Sequence, residues 1–292
     1  MKKEPKSFGT HDGSFHADEV TATALLLLTG QIDRDKIFRT RDPKKLDICE
    51  FVADVGGIYD PKQKRFDHHQ SDYTGTMSSA GMVLKYLKEQ KILTTVEAKM
   101  FQDTLVSGVD AHDNGIETAQ PGTQTYSSVI SNFMPINHSA TKAELDEAFN
   151  KALDLSLGHL SRMKERLAYI LSTKEAVKKA MRKGKDVLLF DKPMPWMDAF
   201  FELDGEDHPA QFVIMPSGEH WKLRGIPPNM SNKMRVRKPL PKAWAGLLGE
   251  DLKKASGIEG AIFCHKGQFI SVWETKEDAQ KALELILKRR KK

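Results

Sequence analysis

The sequence predicts an α/β protein: a mostly parallel sheet domain over residues 1–140, connecting helices over 141–184 and an α+β domain over 185–292. Three observations carry that prediction. Strand-like and helix-like runs alternate up to about residue 115, which implies crossover connections between parallel strands. Apolar residues then recur at spacings of three and four from Leu145 to Ile170, the signature of one helix face. After Gly184, short strand-like runs separated by turns take over.

In chain order, Phe8-Gly9-Thr10 reads as a strand end, and Ala17 to Leu28 as a helix stopped by Gly30. Lys36 to Arg41 and Phe51 to Val55 read as strands, the second closed by Gly56-Gly57. Ile58 to Pro61 and Arg65 to Asp67 fit the arms of a hairpin around Lys62-Gln63-Lys64. Helices are expected over Ser79 to Gln90 and Val96 to Val109. Thr141-Lys142-Ala143-Glu144 is a capping box that opens the long helix, which is expected to break near Ser172 and resume to Lys183. Beyond it, strands are expected at Asp186 to Phe190, Ala199 to Leu203, Gln211 to Met215, Trp221 to Ile226 and Ala261 to Val272. Two helices complete the pattern, Trp244 to Ala255 and Thr275 to the C-terminus.

Composition narrows the class. With 39% hydrophobic and 29% charged residues over 292, the chain is neither disordered nor collagen-like, and its longest apolar run is too short for a bilayer. Cys49 and Cys264 lie far apart and form no CxxC pair, which argues against a disulfide scaffold or a cysteine-built zinc site. Met1 to Lys6 has no apolar stretch of the secretory kind, so a cytoplasmic protein without a membrane partner is expected. The net charge of +5 equals the contribution of Lys288, Arg289, Arg290, Lys291 and Lys292, a basic helix end. A second basic stretch, His220 to Lys242, holds seven Lys and Arg and no acid, which suits an anionic ligand.

Five of the ten histidines, His11, His16, His68, His69 and His112, fall in short Asp-bearing segments. These are Thr10 to Glu19 at a strand-to-helix transition, Phe66-Asp67-His68-His69-Gln70, and Gly108 to Gly115 at a helix end; Val52 to Gly57 adds Asp54 at a strand end. In an α/β fold such segments converge at the C-terminal edge of the sheet, where ligands bind. Mixed imidazole and carboxylate donors suit manganese, iron or zinc rather than calcium, and a shared carboxylate can bridge two ions.

Asp67-His68-His69, together with the His11/His16/Asp18 segment, resembles the DHH phosphoesterase superfamily. Within it the chain is similar to the Myg-type exonuclease family: Thr10 to Glu19, Ala53 to Gly57 with Tyr59-Asp60-Pro61, and Phe66 to His69 match its recurring segments. Pro195 to Phe200 and Trp244 to Leu247 are similar too, so the likeness spans nearly the whole chain. It implies a DHH-type catalytic domain and two-metal hydrolysis of phosphodiesters, with 3′–5′ exonuclease action on single-stranded RNA or short oligonucleotides foremost. Two divalent ions are implied, Mn2+ first, with Mg2+, Fe2+ or Zn2+ as alternatives. Carried over by position, His11, His16 and Asp54 would hold one ion and Asp18, Asp54, His68 and Asp110 the other, with Asp54 bridging. Most DHH proteins have Asp where this chain has His16, which implies a different ligation of the first ion. His69 would face the scissile phosphate, Asp67 would orient the DHH loop, and His112 and Asp113 would support the ligands.

The second domain supplies candidates for gripping a polymer: His220, Trp221, Lys222, Arg224, Arg235 and Arg237, with His265 and Lys266 beside Gly267. Phosphates attract Lys and Arg, and single-stranded bases stack on aromatic rings. The expected active site lies in a cleft between the domains. Two rival readings stay open, a small-molecule phosphatase for pyrophosphate or short nucleotides, and a non-catalytic module binding RNA or a partner protein. Self-association into a homo-oligomer is equally open. No nucleophile–base triad or HExxH motif supports a protein hydrolase.

Overall fold

The computed structural model describes residues 2–116 and 120–288. The basic end at Arg289 to Lys292 therefore lies outside the described residues. The chain divides into two compact units, Met1–Glu165 and Arg166–Lys292.

The first unit alternates strand and helix: β1 (Glu4–Thr10), α1 (Ala17–Leu28), β2 (Ile37–Arg39), α2 (Pro43–Ile48), β3 (Cys49–Ala53), β4 (Tyr59–Asp60) and β5 (Arg65–Phe66). Helices α3 (Ser79–Glu89), α4 (Thr95–Phe101), α5 (Ser107–Asp113) and α6 (Tyr126–Ser131) follow. The sheet order is β2-β1-β3-β5-β4, with β1, β2, β3 and β5 parallel and β4 folded back against β5. Parallel strands need crossover helices, and α1 and α3 pack together over the buried Phe8, Phe51 and Phe66. Full burial of each such ring is worth roughly 1.5–3 kcal/mol. Arg39 fastens this unit from within: its guanidinium donates to Gly13 O (2.6 Å) and Asp146 Oδ1 (2.7 Å) and lies over the Phe149 ring at 4.7 Å.

Between α4 and α5 the expected single helix contains a π turn over Gln102–Val106, a local widening that often accompanies functional sites. Two helices stand beyond the expected ones: α2, which starts with Pro43 at its first turn and Asp42 as cap, and α6, capped by Thr125.

Helix α7 (Lys142–Lys183) runs 42 residues without the break expected at Ser172, and the division between the units falls inside it. The hydroxyls of Ser172 and Thr173 bond back to Tyr169 O and Ile170 O, so the helix absorbs them instead of ending.

The second unit contains β6 (Val187–Leu189), α8 (Trp196–Glu202), β7 (Phe212–Ser217), β8 (His220–Gly225), α9 (Gly249–Ser256), β9 (Ala261–Cys264), β10 (Ile270–Trp273) and α10 (Lys276–Lys288). Its sheet, in order β6-β7-β8-β10-β9, is antiparallel except for the β6/β7 pair. Period-two alternation feeds two cores: Phe212, Ile214 and Leu223 meet Trp244 and Trp273, while Val213 and Met215 meet Phe200 and Trp196. The expected strand at Ala199 to Leu203 is instead the end of α8 and the turn after it, because Trp196, Ala199 and Phe200 share a helical face toward the second core. The run Ala261 to Val272 is a hairpin of two strands, and Trp244 ends a short 3-10 turn ahead of α9.

Cys49 and Cys264 are buried thiols, and burial pushes Cys264 up to about 11, as suits a core residue rather than a nucleophile. Among the described residues no helix is long and apolar enough to cross a membrane.

Candidate metal centre

Four parallel strands end at one edge of the first sheet, so the residues just beyond them meet there. His11 follows β1, Arg41 lies two residues beyond β2, Asp54 follows β3, and Asp67-His68-His69 follow β5. Asp54 leaves its strand in the left-handed region (φ 57°), which non-glycine residues rarely occupy and Asp and Asn tolerate best. The turn swings its carboxylate into the middle of the edge.

His11 is buried, with Nδ1 3.1 Å from Asp12 O and Nε2 3.1 Å from Asp54 Oδ2 and 3.2 Å from Glu19 Oε1. His16 begins α1, and its backbone N–H donates to the Glu19 carboxylate at 2.9 and 3.0 Å. Asp18 and Glu19 are both buried in the first turn of α1, where the helix dipole favours negative charge. His68 Nε2 stands 3.0 Å from Asp113 Oδ2 and 3.6 Å from Asp54 Oδ1 without hydrogen-bond alignment to either. Asp67 is buried and orients the DHH loop: it accepts from Gly57 N (2.6 Å), His69 N (3.2 Å) and His69 Nδ1 (2.8 Å). His69 is otherwise mostly exposed.

The charges press on each other. Burial, followed by Asp54, Glu19 and Asp113, drives the Asp18 carboxyl well above the usual carboxylate range. Burial works against charge on His11, yet Asp54 and Glu19 outweigh it and hold the ring up to about 10. His68 is also raised to about 10, by Asp113 first and Asp54 second. Burial would raise Asp54, and His11 and His68 instead bring it down to about 2.

The donor set fits divalent cations. Both carboxylate oxygens of Asp18, Asp54 Oδ1 and His68 Nε2 are buried without a hydrogen-bond partner, a costly state that a cation relieves. Donor atoms within 4.8 Å of one another form overlapping groups: His11/His16/Glu19, Asp18/Glu19/Asp54, His16/Asp18/Asp113 and Asp54/His68/His69. These groups share Asp18, Asp54, His16 and Glu19, so they are one cluster. It opens into a cavity of about 880 Å3 whose walls include Asp12, Ser14, Arg41, Gly56 and His69.

One expected ligand stands outside the cluster. Asp110 Oδ1 accepts from Ser78 N (2.9 Å), Ser78 Oγ (2.8 Å) and Gly81 N (3.2 Å), closing the N-terminus of α3. Gly81 makes this possible, since a Cβ there would lie 2.5 Å from Asp110 Oδ2. Asp113, expected only as a supporting residue, is the one that reaches His68. The two aspartates are three residues apart on one helix face, so spacing alone could not separate their roles. His112 lies exposed on the same helix, and no donor group includes it. Glu19 and Arg41 were not anticipated: an acid three residues after a helix cap reads as capping, and one arginine after a strand carries no signal.

The second unit brings some of the expected substrate residues together. Lys222 and Arg224 alternate on one face of β8, and burial lowers the pKa of both. Arg224 Nε is buried without a partner, and its guanidinium lies 6.0 Å from the Phe269 ring. His265 packs against Phe269 at 4.4 Å, and Lys266 is exposed at the turn beside it. His220 and Arg235 are exposed. Trp221 is half-buried against the Trp244 core and lies under Lys276 Nζ, so most of its ring is not a stacking platform. Arg237 is a correction. Its Nε, Nη1 and Nη2 donate to the carbonyls of Pro227, His208, Ala210, Gly205 and Glu206, which leaves no N–H for a ligand.

Comparison with known proteins adds identity to this geometry. A family profile described as an uncharacterised protein family (UPF0160), of the MYG1 exonuclease type, matches residues 7–287. The MYG1 protein of Chlamydia trachomatis is 48% identical over 98% of each chain. The MYG1 exonuclease of Rattus norvegicus is 33% identical over 94% of this chain and 83% of its own, and that of Homo sapiens 33% over 94% and 84%. Among solved structures, RecJ from Thermus thermophilus in complex with Mn2+ aligns with 97% of this chain and 52% of its own. That alignment has 12% identity and a TM-score of 0.27, too low an agreement to speak to fold or chemistry. Matched along almost its whole length by profile and relatives alike, this chain is a member of the MYG1 exonuclease family and, as such, a hydrolase.

Proposed function

We propose that the chain is a two-metal exonuclease that removes nucleotides from the 3′ end of single-stranded RNA. The observation that carries this reading is the set of buried, unpartnered donors of Asp18, Asp54 and His68, of which Asp54 and His68 line the 880 Å3 cavity. His11, His16 and Asp54 would hold one divalent ion, Mn2+ foremost, and Asp18, Asp54, His68 and Asp113 would hold the other. Two such ions lower the pKa of a water and offset charge building on phosphate oxygens. Glu19 braces His11 and the start of α1. Asp67 holds His69 Nδ1, so Nε2 is the nitrogen offered to a phosphate oxygen or the leaving group. Lys222 and Arg224, with His265 and Lys266, attract the phosphates of the remaining strand.

End-labelled single-stranded RNA, the matching DNA and pyrophosphate, each given with Mn2+, test the proposal beside Asp54→Asn. Asparagine keeps the left-handed backbone and removes the charge. Stepwise shortening of RNA from its 3′ end, falling about a thousandfold or more in Asp54→Asn, is expected. Phosphate release from pyrophosphate with RNA left intact would overturn the polymer reading in favour of a small-molecule phosphatase.

A further inference from the structure

Next to the metal cavity lies a second one, of about 320 Å3, at the small end of the range for ligand pockets. It shares Arg41, Val55 and Gly56 with the first, so the two are neighbours across one wall. Their chemistry differs sharply. The metal cavity is lined by imidazoles and carboxylates, whereas the second is floored by Leu46, Val52, Val55 and Ile58. Leu46, Val52 and Val55 of this floor belong to a small cluster with Cys49, separate from the main core. Ile58 is 51% exposed and lines this cavity, so its side chain is reachable from solvent. Asp47 lies at the rim as a carboxylate acceptor. The wall itself is low: Gly56 and Gly57 both have positive φ, and a Cβ on either would meet nothing within 4 Å. Arg65, also at this cavity, donates to five backbone carbonyls and is part of the frame.

We propose that this second cavity receives the base of the nucleotide whose phosphate sits at the metal centre, with Arg41 on the shared wall contacting that phosphate. The proposal rests on the nuclease reading for the phosphate's place and adds the part of the substrate that reading leaves open. A nucleotide is an anion joined through a sugar to a flat, largely apolar ring with polar edges. The paired cavities offer the same sequence of environments: charged donors, a guanidinium, then an apolar floor with one acceptor at its rim. Arg41 is suited to the junction because a planar guanidinium pairs with phosphate oxygens and also packs on a ring face. Its present partner, Asp12 at 3.7 Å, is a loose contact that a phosphate can replace. Asp47 favours bases whose exposed edge carries hydrogen-bond donors.

The test is binding to the full-length chain in Mn2+, followed by calorimetry, with nucleoside 5′-monophosphates, ribose 5-phosphate and inorganic phosphate as probes. The wild-type chain is expected to bind a nucleoside monophosphate at least about fivefold tighter than ribose 5-phosphate, the effect of burying roughly 40 Å2 of apolar ring surface. Ile58→Asp, at an exposed position, is expected to close that gap by weakening only the nucleotide. Equal affinity of wild type for nucleotide and ribose 5-phosphate would overturn the base slot, and so would an equal loss of both ligands in Ile58→Asp. None of these readouts requires turnover. A chain that binds nucleotides through the slot but hydrolyses no RNA would sink the exonuclease reading and leave the slot standing.

Discussion

The two sheets of this protein present functional side chains in opposite ways. In the first, parallel strands send every C-terminal end to one edge, and the candidate centre is assembled from the residues just past those ends: His11, Arg41, Asp54 and Asp67 to His69. In the second, antiparallel strands alternate direction, no edge collects their ends, and the candidate phosphate contacts Lys222 and Arg224 lie along the face of β8. The difference is one of charge management as well as geometry. At that edge Asp54 meets three carboxylates carried by helices, Asp18 and Glu19 of α1 and Asp113 of α5, in a space that calls for cations. The face residues set two half-buried cations side by side, which calls for an anion.

The largest expected consequence is opposite pH dependence. In the metal-free chain His11 and His68 are held up to about 10, so both are protonated across the neutral range and must lose their protons to act as ligands. Metal affinity should therefore rise between pH 6 and 9, by about tenfold per pH unit for each proton displaced. Calorimetric titrations of Mn2+ in buffers of different ionisation enthalpy would count those protons. The phosphate binding proposed for β8 should have the reverse sign, because burial and Arg224 lower the pKa of Lys222 and alkaline pH removes its charge. Metal affinity flat across that range would break the comparison.

Next in size is the contrast between two aspartates on α5. Asp113→Asn should lower metal affinity by at least about 10–100-fold while leaving thermal stability nearly intact. Asp110→Ala should leave the folded protein's metal stoichiometry unchanged but cost about 1–3 kcal/mol, since Ser78 N and Gly81 N lose their acceptor. Metal analysis alongside denaturant unfolding separates the two; metal loss in folded Asp110→Ala would return Asp110 to the ligand set.

Smallest are the effects on the second sheet. Arg224→Ala should weaken RNA binding a few-fold and reduce the salt dependence by about one counterion, read from affinity against salt concentration. Arg237→Ala should do neither directly and should instead lower the melting temperature, because five carbonyls lose their donors.

Much of the first sheet was legible because its signals are local. Helix α1 coincides with its expected span, and strand ends carrying Asp and His were visible as punctuation between apolar runs. What escaped depended on three-dimensional partners. Asp110 and Asp113 differ only in what lies opposite them, Ser78 and Gly81 for one and His68 for the other. Arg237 looked like a ligand contact because a basic stretch shows charge but not the carbonyls that occupy it. Ala199 to Leu203 read as a strand because Phe200 and Phe201 are apolar neighbours, and only the packing of Trp196 and Phe200 against Val213 and Met215 marks the segment as helical.

The clasp around Arg39 bears on where the chain can be cut. Composition changes at about residue 140, an inviting place to end an N-terminal fragment. Yet the loop bearing His11 and His16 is tied through Arg39 to Asp146, Phe149 seals the ring of Phe15, and Lys142 reaches Asp12 and Arg39 O. A fragment ended at 140 would strip that guanidinium of Asp146 and of the Phe149 ring and leave it only Gly13 O. The smallest self-sufficient piece of the catalytic half therefore carries the first turns of α7 with it, and a boundary near Glu165 respects the wiring that one at 140 severs.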